Sequence, residues 1–173
     1  NVRACRVNKR GHIEQAMSFP PFEFKQLINE DWETSSFRAR LETNRFFFVV
    51  FREDHEGEWR LDRCLFWAMP ANEIEGPAKA CWDETRKVIR KGVEFNPYRD
   101  ASGKLKVTNN LPGMADNPIV HVRPHTSKAA YKFADGTEVG DIARNAYELP
   151  DGRWMTKQSF WFNKGYLEHI LGL

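Results

Sequence analysis

Two segments of this chain carry side chains suited to a nucleic-acid duplex. The run His121-Val122-Arg123-Pro124-His125 reads as a strand with an arginine at its mouth, ended by a proline. Residues 156–164 (Thr-Lys-Gln-Ser-Phe-Trp-Phe-Asn-Lys) interleave cations, amides and aromatics. Arginine has the planar fork that bonds guanine O6 and N7 together. Lys157, Gln158 and Ser159 are of the types that hold phosphates and set register. A third motif is Glu23-Phe24-Lys25. On a strand, Glu23 and Lys25 would share a face, offering a carboxylate to a divalent metal and a lysine to the attacking water or scissile phosphate. Such a site needs a second carboxylate upstream. No aspartate precedes Asp31, and Glu14 is the only upstream candidate. The plainer reading of the motif is an exposed strand face.

Other chemistries find less support. His121, Arg123 and His125 could share a face, but no further ligands follow at a zinc-site spacing. Glu73, Glu75, Asp83 and Glu84 have no partner histidine. There is no nucleophile elbow, phosphate-binding loop or dinucleotide fingerprint.

The elements that must carry these residues follow from apolar period and punctuation. Residues 19–28 read as a strand, with Phe22 and Phe24 on one side and Glu23 and Lys25 on the other. Residues 31–35 read as a turn with N-cap residue types, followed by a short helix over about 35–42. Phe46 to Phe51 is a continuous apolar run, expected as a strand buried on both faces, paired through a Glu56-Gly57 hairpin with an alternating strand over 59–68. Pro77 suits the first turn of a helix running to about Lys91 and ended by Gly92, with Ala78, Cys81, Trp82, Thr85, Val88 and Ile89 inward. Residues 94–118 read as a loop, 119–123 as a strand and 126–152 as an irregular excursion with Asp-Gly turns at 135 and 151. Residues 153–162 begin strand-like, with Trp161 and Phe162 expected in the core. Asn163 should cap a final helix. The mixture without strict alternation implies an α/β fold, a mixed central β-sheet flanked by helices.

Bulk properties set the frame. At 173 residues, 41% hydrophobic and 13% aromatic, the chain fits one domain that buries about 70% of its unfolded surface. A net charge of +2 does not by itself signal nucleic acid. Residues 86–106, however, carry seven Lys/Arg against Glu94 and Asp100. Three dispersed cysteines argue against a disulfide scaffold and fit a cytoplasmic setting. No apolar run is long enough to span a membrane. The start at Asn1 suggests a fragment of a longer polypeptide.

Met17-Ser18-Phe19-Pro20, Trp32-Glu33-Thr34-Ser35, the Phe46–Phe51 run, residues 117–125 and residues 156–164 occur in an order that resembles the MutH family of GATC-directed endonucleases, and most of all its Sau-type restriction enzymes. The resemblance covers nearly the whole chain. It implies a restriction-endonuclease-like, MutH-like α/β domain over 1–173. The family's GATC-reading Arg-Pro strand end falls on Arg123 and Pro124. The basic residue after that proline, linked to sensing adenine methylation, falls on His125. The lysine of the later strand falls on Lys157, and the aromatic just upstream of it on Met155 or Trp154. The metal-binding glutamate and catalytic lysine fall on Glu23 and Lys25, and a further lysine on Arg40. The aspartate expected seven residues before the glutamate falls on Ala16.

The resemblance therefore implies an incomplete catalytic set. Sau-type enzymes resemble two MutH-like domains in tandem, and this chain looks more like the second, a non-cleaving DNA-binding effector that needs no cofactor. Its partners would be double-stranded DNA and the N-terminal catalytic domain of the same polypeptide. The alternative is a magnesium-dependent endonuclease cleaving at GATC, with Glu14 and Glu23 on the metal and Lys25 beside them. A third is a protein-interaction domain with no role on DNA.

Overall fold

The computed structural model describes residues 1–173. Strand β1 (Val2–Val7) is followed by the short β2 (Met17–Ser18) and helix α1 (Phe24–Leu27). A 3-10 turn at Trp32–Thr34 leads into α2 (Ser36–Thr43), where Ser35 accepts the Arg38 N–H as a cap. The hairpin β3 (Phe46–Glu53) and β4 (Trp59–Trp67) precedes a helical run: α3 (Ala71–Glu73), a π-turn at Ile74–Ala78 and α4 (Lys79–Lys91). Strands β5 (Phe95–Arg99), β6 (Leu105–Asn109), β7 (Val120–Pro124), β8 (Tyr131–Lys132) and β9 (Glu138–Val139) follow. Helix α5 (Ile142–Asn145), strands β10 (Ala146–Glu148), β11 (Trp154–Thr156) and β12 (Gln158–Phe162) and helix α6 (Lys164–Leu171) complete the chain. No helix is long and apolar enough to cross a membrane.

The fold is mixed α/β, but the expected central sheet is divided. Its strands form sheets ordered β1-β3-β4, β2-β12-β7 and β10-β11-β8-β9, with β5-β6 as a separate hairpin. Only the first is mixed, β1 running parallel to β3 and β4 antiparallel to it. The division has a local cause. Lys157 separates β11 from β12, and its N–H bonds Asn145 while its carbonyl accepts from His125, so the chain steps from one sheet to another there.

Several sequence expectations need correction. Residues 19–28 are not one strand. Pro20 and Pro21 have no N–H for a ladder, Phe22 makes a single bridge to Gln158, and the backbone turns helical at Phe24. Pro77 does not open its helix. The helical run begins at Ala71, and the π-turn takes up the lost N–H and the ring. Residues 94–118 contain the β5–β6 hairpin, turned at Asp100, whose Oδ1 accepts from the Ser102 and Lys104 N–H groups. Pro97 is tolerated because each strand of an isolated hairpin is an edge. β3 buries Phe46, Phe48 and Val50, while Phe47, Val49 and Phe51 on its other face are only half-buried.

One core joins the sheets. Phe162 is fully buried and packs against Phe19, Phe46, Trp67 and Tyr166. Trp82 of α4 meets Trp32 at a centroid distance of 5.3 Å, bringing the helical run onto the same core. The three cysteines are free, Cys5 and Cys81 buried and Cys64 exposed. A close approach fixes Gly140. Its φ is +75°, and a Cβ there would lie 2.1 Å from the Ala129 carbonyl oxygen. Gly140→Ala is expected to destabilise the fold by more than about 1 kcal/mol. An unchanged urea midpoint would contradict this packing.

Candidate nucleic-acid interface

The antiparallel pair β7–β12 builds the candidate surface. Ser159 lies opposite Arg123 and Gln158 opposite Pro124, and the ladder continues as the His125 N–H bonds the Lys157 carbonyl at 2.8 Å. The exit of β7 and the entry of β12 therefore meet at one end of the sheet, gathering Arg123, Pro124, His125 and Lys157. The first three are exposed and Lys157 is half-buried. Pro124 ends the strand where the arginine emerges.

Neighbouring side chains hold these groups. The Arg123 guanidinium lies 4.6 Å from the Trp161 ring centroid, and Trp161 Nε1 donates to the Arg123 carbonyl at 3.2 Å. Ring and backbone bond thus brace the arginine, the ring contact contributing about 0.5–1 kcal/mol at an exposed site. Lys157 Nζ lies 4.7 Å from the Tyr147 centroid. His125 Nδ1 is 2.8 Å from Ser159 Oγ. Trp161, expected in the core, is half-buried instead, its ring meeting the Arg123 guanidinium.

Glu23 and Lys25 reach the same end of the sheet, since Phe22 bridges Gln158 just before them. They do not share a face. Glu23 is the extended residue preceding α1 and Lys25 lies within the helix, where residues two apart diverge by about 200°. Lys25 Nζ pairs with Glu148 Oε2 at 2.5 Å, tying α1 to β10. Both partners are partly exposed, so the pair contributes at most about 1 kcal/mol.

The metal expected for a nuclease tests poorly on this donor set. No three His, Cys, Asp or Glu side chains converge to hold an ion. Ala16 has no donor, and Glu14 is an exposed residue whose carbonyl accepts from Lys164 Nζ.

Segment 15–27 borders a series of cavities that share lining residues. One of about 310 Å³ includes Arg3, Gln15 and Ala16. The next, about 100 Å³, includes Arg3, Ser18, Arg40 and Asn44. Arg40 also lines a third beside Phe160 and Pro20, and a fourth reaches Glu23, Glu30 and Tyr147. Arg40 thus belongs to a groove rather than to the β7–β12 strand end.

His121 shares a side of β7 with Arg123 but is buried, and its Nδ1 is committed to Asn163. Asn163 does not cap α6 with its side chain. Its Nδ2 donates to the Asn117 carbonyl at 2.6 Å, turning Oδ1 toward His121 Nδ1, also at 2.6 Å. The histidine therefore donates from Nδ1, and its buried Nε2 has no partner. Burial holds the His121 pKa below the usual histidine value; the bond to Asn163 opposes this and the Arg123 charge adds to it. Because the unfolded histidine protonates near 6.5 and the folded one resists, this contribution to stability is full above about pH 6.5 and is lost as pH falls through the depressed folded value. His121→Gln is expected to flatten the fall in melting temperature between pH 7.5 and 5.5. An equally steep fall in the variant would contradict the assignment.

Tyr147, Glu148 and Arg3 were not legible as site residues. Tyr147 and Glu148 act across long sequence separations that no local pattern records. Arg3 had a signal: it shares strand parity with the buried Cys5 and Val7.

No protein-family model matches the chain. It is 35% identical over 180 residues to the type II restriction enzyme Sau3AI of Staphylococcus aureus. The match covers 96% of this chain and 37% of that enzyme, so the chain spans little more than a third of its relative's length. The likeness therefore runs over nearly all of this chain and over one part of that type II restriction enzyme.

Proposed function

We propose that this domain binds double-stranded DNA at GATC as the non-cleaving effector part of a type II restriction endonuclease, on a MutH-like, restriction-endonuclease-like core. The carrying observation is the β7–β12 strand end, where an exposed arginine braced by Trp161 stands beside His125 and Lys157. A fork held in place gives bidentate contact to guanine at low ordering cost. Lys157 and the basic hairpin at Lys104 and Lys106 supply phosphate contacts. The share of Sau3AI left unmatched gives room for a catalytic domain in the same polypeptide. DNA held here would favour that domain's active arrangement through a coupling free energy. The non-cleaving role is supported by Ala16, by the separated faces of Glu23 and Lys25 and by the Lys25–Glu148 pair.

The test is to incubate the 173-residue chain with a GATC plasmid and Mg²⁺ and run native and denaturing gels. A retarded complex with intact strands is expected. Cutting that disappears in Lys25→Ala would overturn the effector role in favour of a magnesium nuclease. The absence of any complex would overturn DNA binding itself.

A further inference from the structure

We infer that the groove along residues 15–20, where a nuclease of this kind would hold its metal, instead binds a DNA backbone phosphate directly through Arg3 and Arg40. This inference rests on the DNA-binding reading above but concerns a different surface from the Arg123 strand end.

Strand parity places Arg3 on the same side of β1 as the buried Cys5 and Val7, opposite the buried Phe48, so its stem leaves the sheet on the core side at the rim. Arg40 stands on α2 between the buried Phe37 and Leu41 but is itself exposed. Both line the cavity of about 100 Å³ with Ser18 and Asn44. One water needs only about 10–15 Å³, so there is room for a larger group. No carboxylate lines this cavity, the one beside Ala16 or the one beside Phe160.

The two guanidiniums are also uncommitted. Their neighbour Arg38 is spent on Glu42 and Glu75, and Lys25 on Glu148. Arg3 and Arg40 pair with no carboxylate at all. A metal site needs converging carboxylates, which this groove lacks. Two free guanidiniums beside an amide and a hydroxyl instead suit a phosphodiester, whose oxygens take paired N–H donors. With Ala16 and no carboxylate along these cavities, no negative charge repels the phosphate, so the groove grips the backbone without a bridging cation.

The experiment is a titration of labelled GATC and scrambled duplexes at 50–200 mM salt, using the parent chain, Arg3→Gln, Arg40→Gln and, as control, the α4 variant Lys87→Gln. Each groove variant is expected to make the slope of log K against log salt shallower by about 1. The GATC-to-scrambled ratio should stay at the parent value, Lys87→Gln should bind like the parent, and EDTA should change nothing. Circular dichroism checks the folding of each variant. Parental slopes in both groove variants would overturn the inference while leaving GATC reading intact. Binding that collapses in EDTA would overturn it in favour of a metal bridge. A parent chain that binds no duplex would overturn both.

Discussion

Replacing Arg123 by alanine should cost about 1–3 kcal/mol of GATC affinity, roughly 5- to 150-fold, and should relax sequence preference. Two features of the site make this the largest expected binding effect. The guanidinium is exposed at the end of β7, so its loss opens no hole in the core. It is also held by the Trp161 ring, so most of its ordering cost is met before DNA arrives. Arg123→Lys separates charge from shape. It keeps the cation but not the fork, so it should retain binding to scrambled duplex and lose the GATC advantage. Titrations of both variants against both duplexes measure this. A lysine variant with full GATC preference would show that the residue contacts phosphate only.

Phe162→Ala is expected to lower unfolding stability by about 3–5 kcal/mol, a large share of the about 5–15 kcal/mol typical of a domain. Phe162 is fully buried and packs on aromatic rings from β3, β4, α6 and the segment after β2. The cavity would open where β3, β12 and α6 meet, and rings held by other elements cannot collapse into it freely. The contrast is Phe66→Ala. Phe66 is 80% exposed and touches Phe47 across the hairpin, so its loss should cost less than about 1 kcal/mol. Urea denaturation of the two variants gives the comparison. Similar midpoints would place the core elsewhere.

Legibility followed the range of the forces. The β3–β4 hairpin was readable because its signals are local: a Phe/Val run, an alternating partner and Gly57 at φ +90° in the turn. The inward face of α4 was readable for the same reason, as Cys81, Trp82, Thr85 and Ile89 recur at helical spacing. Residues 119–123 were located within a residue, which brought Arg123 to a strand end, whereas 153–162 read as one strand-like segment and not as β11 and β12 with Lys157 between them. The misreadings lie where tertiary contacts outweigh local preference. Asn163 has the residue type of a cap, but its amide is taken by His121 and Asn117. Residues 22–25 alternate like a strand, yet α1 forms because Phe24 buries fully and packs on Phe22. Lys25 finds Glu148 from 123 residues away, a pairing no spacing rule anticipates. In β5, proline and asparagine imitate a loop in a hairpin that leaves both strands as edges.

The most direct test is the ratio of affinities of the 173-residue chain for a GATC duplex and a scrambled duplex of equal length, measured at one fixed salt concentration in the presence of Mg²⁺. Specific readers typically exceed their non-specific binding by about 10³ or more. GATC reading by this single domain predicts a clear preference that vanishes in Arg123→Ala, with both duplexes recovered uncut. Equal affinity for the two duplexes would contradict it.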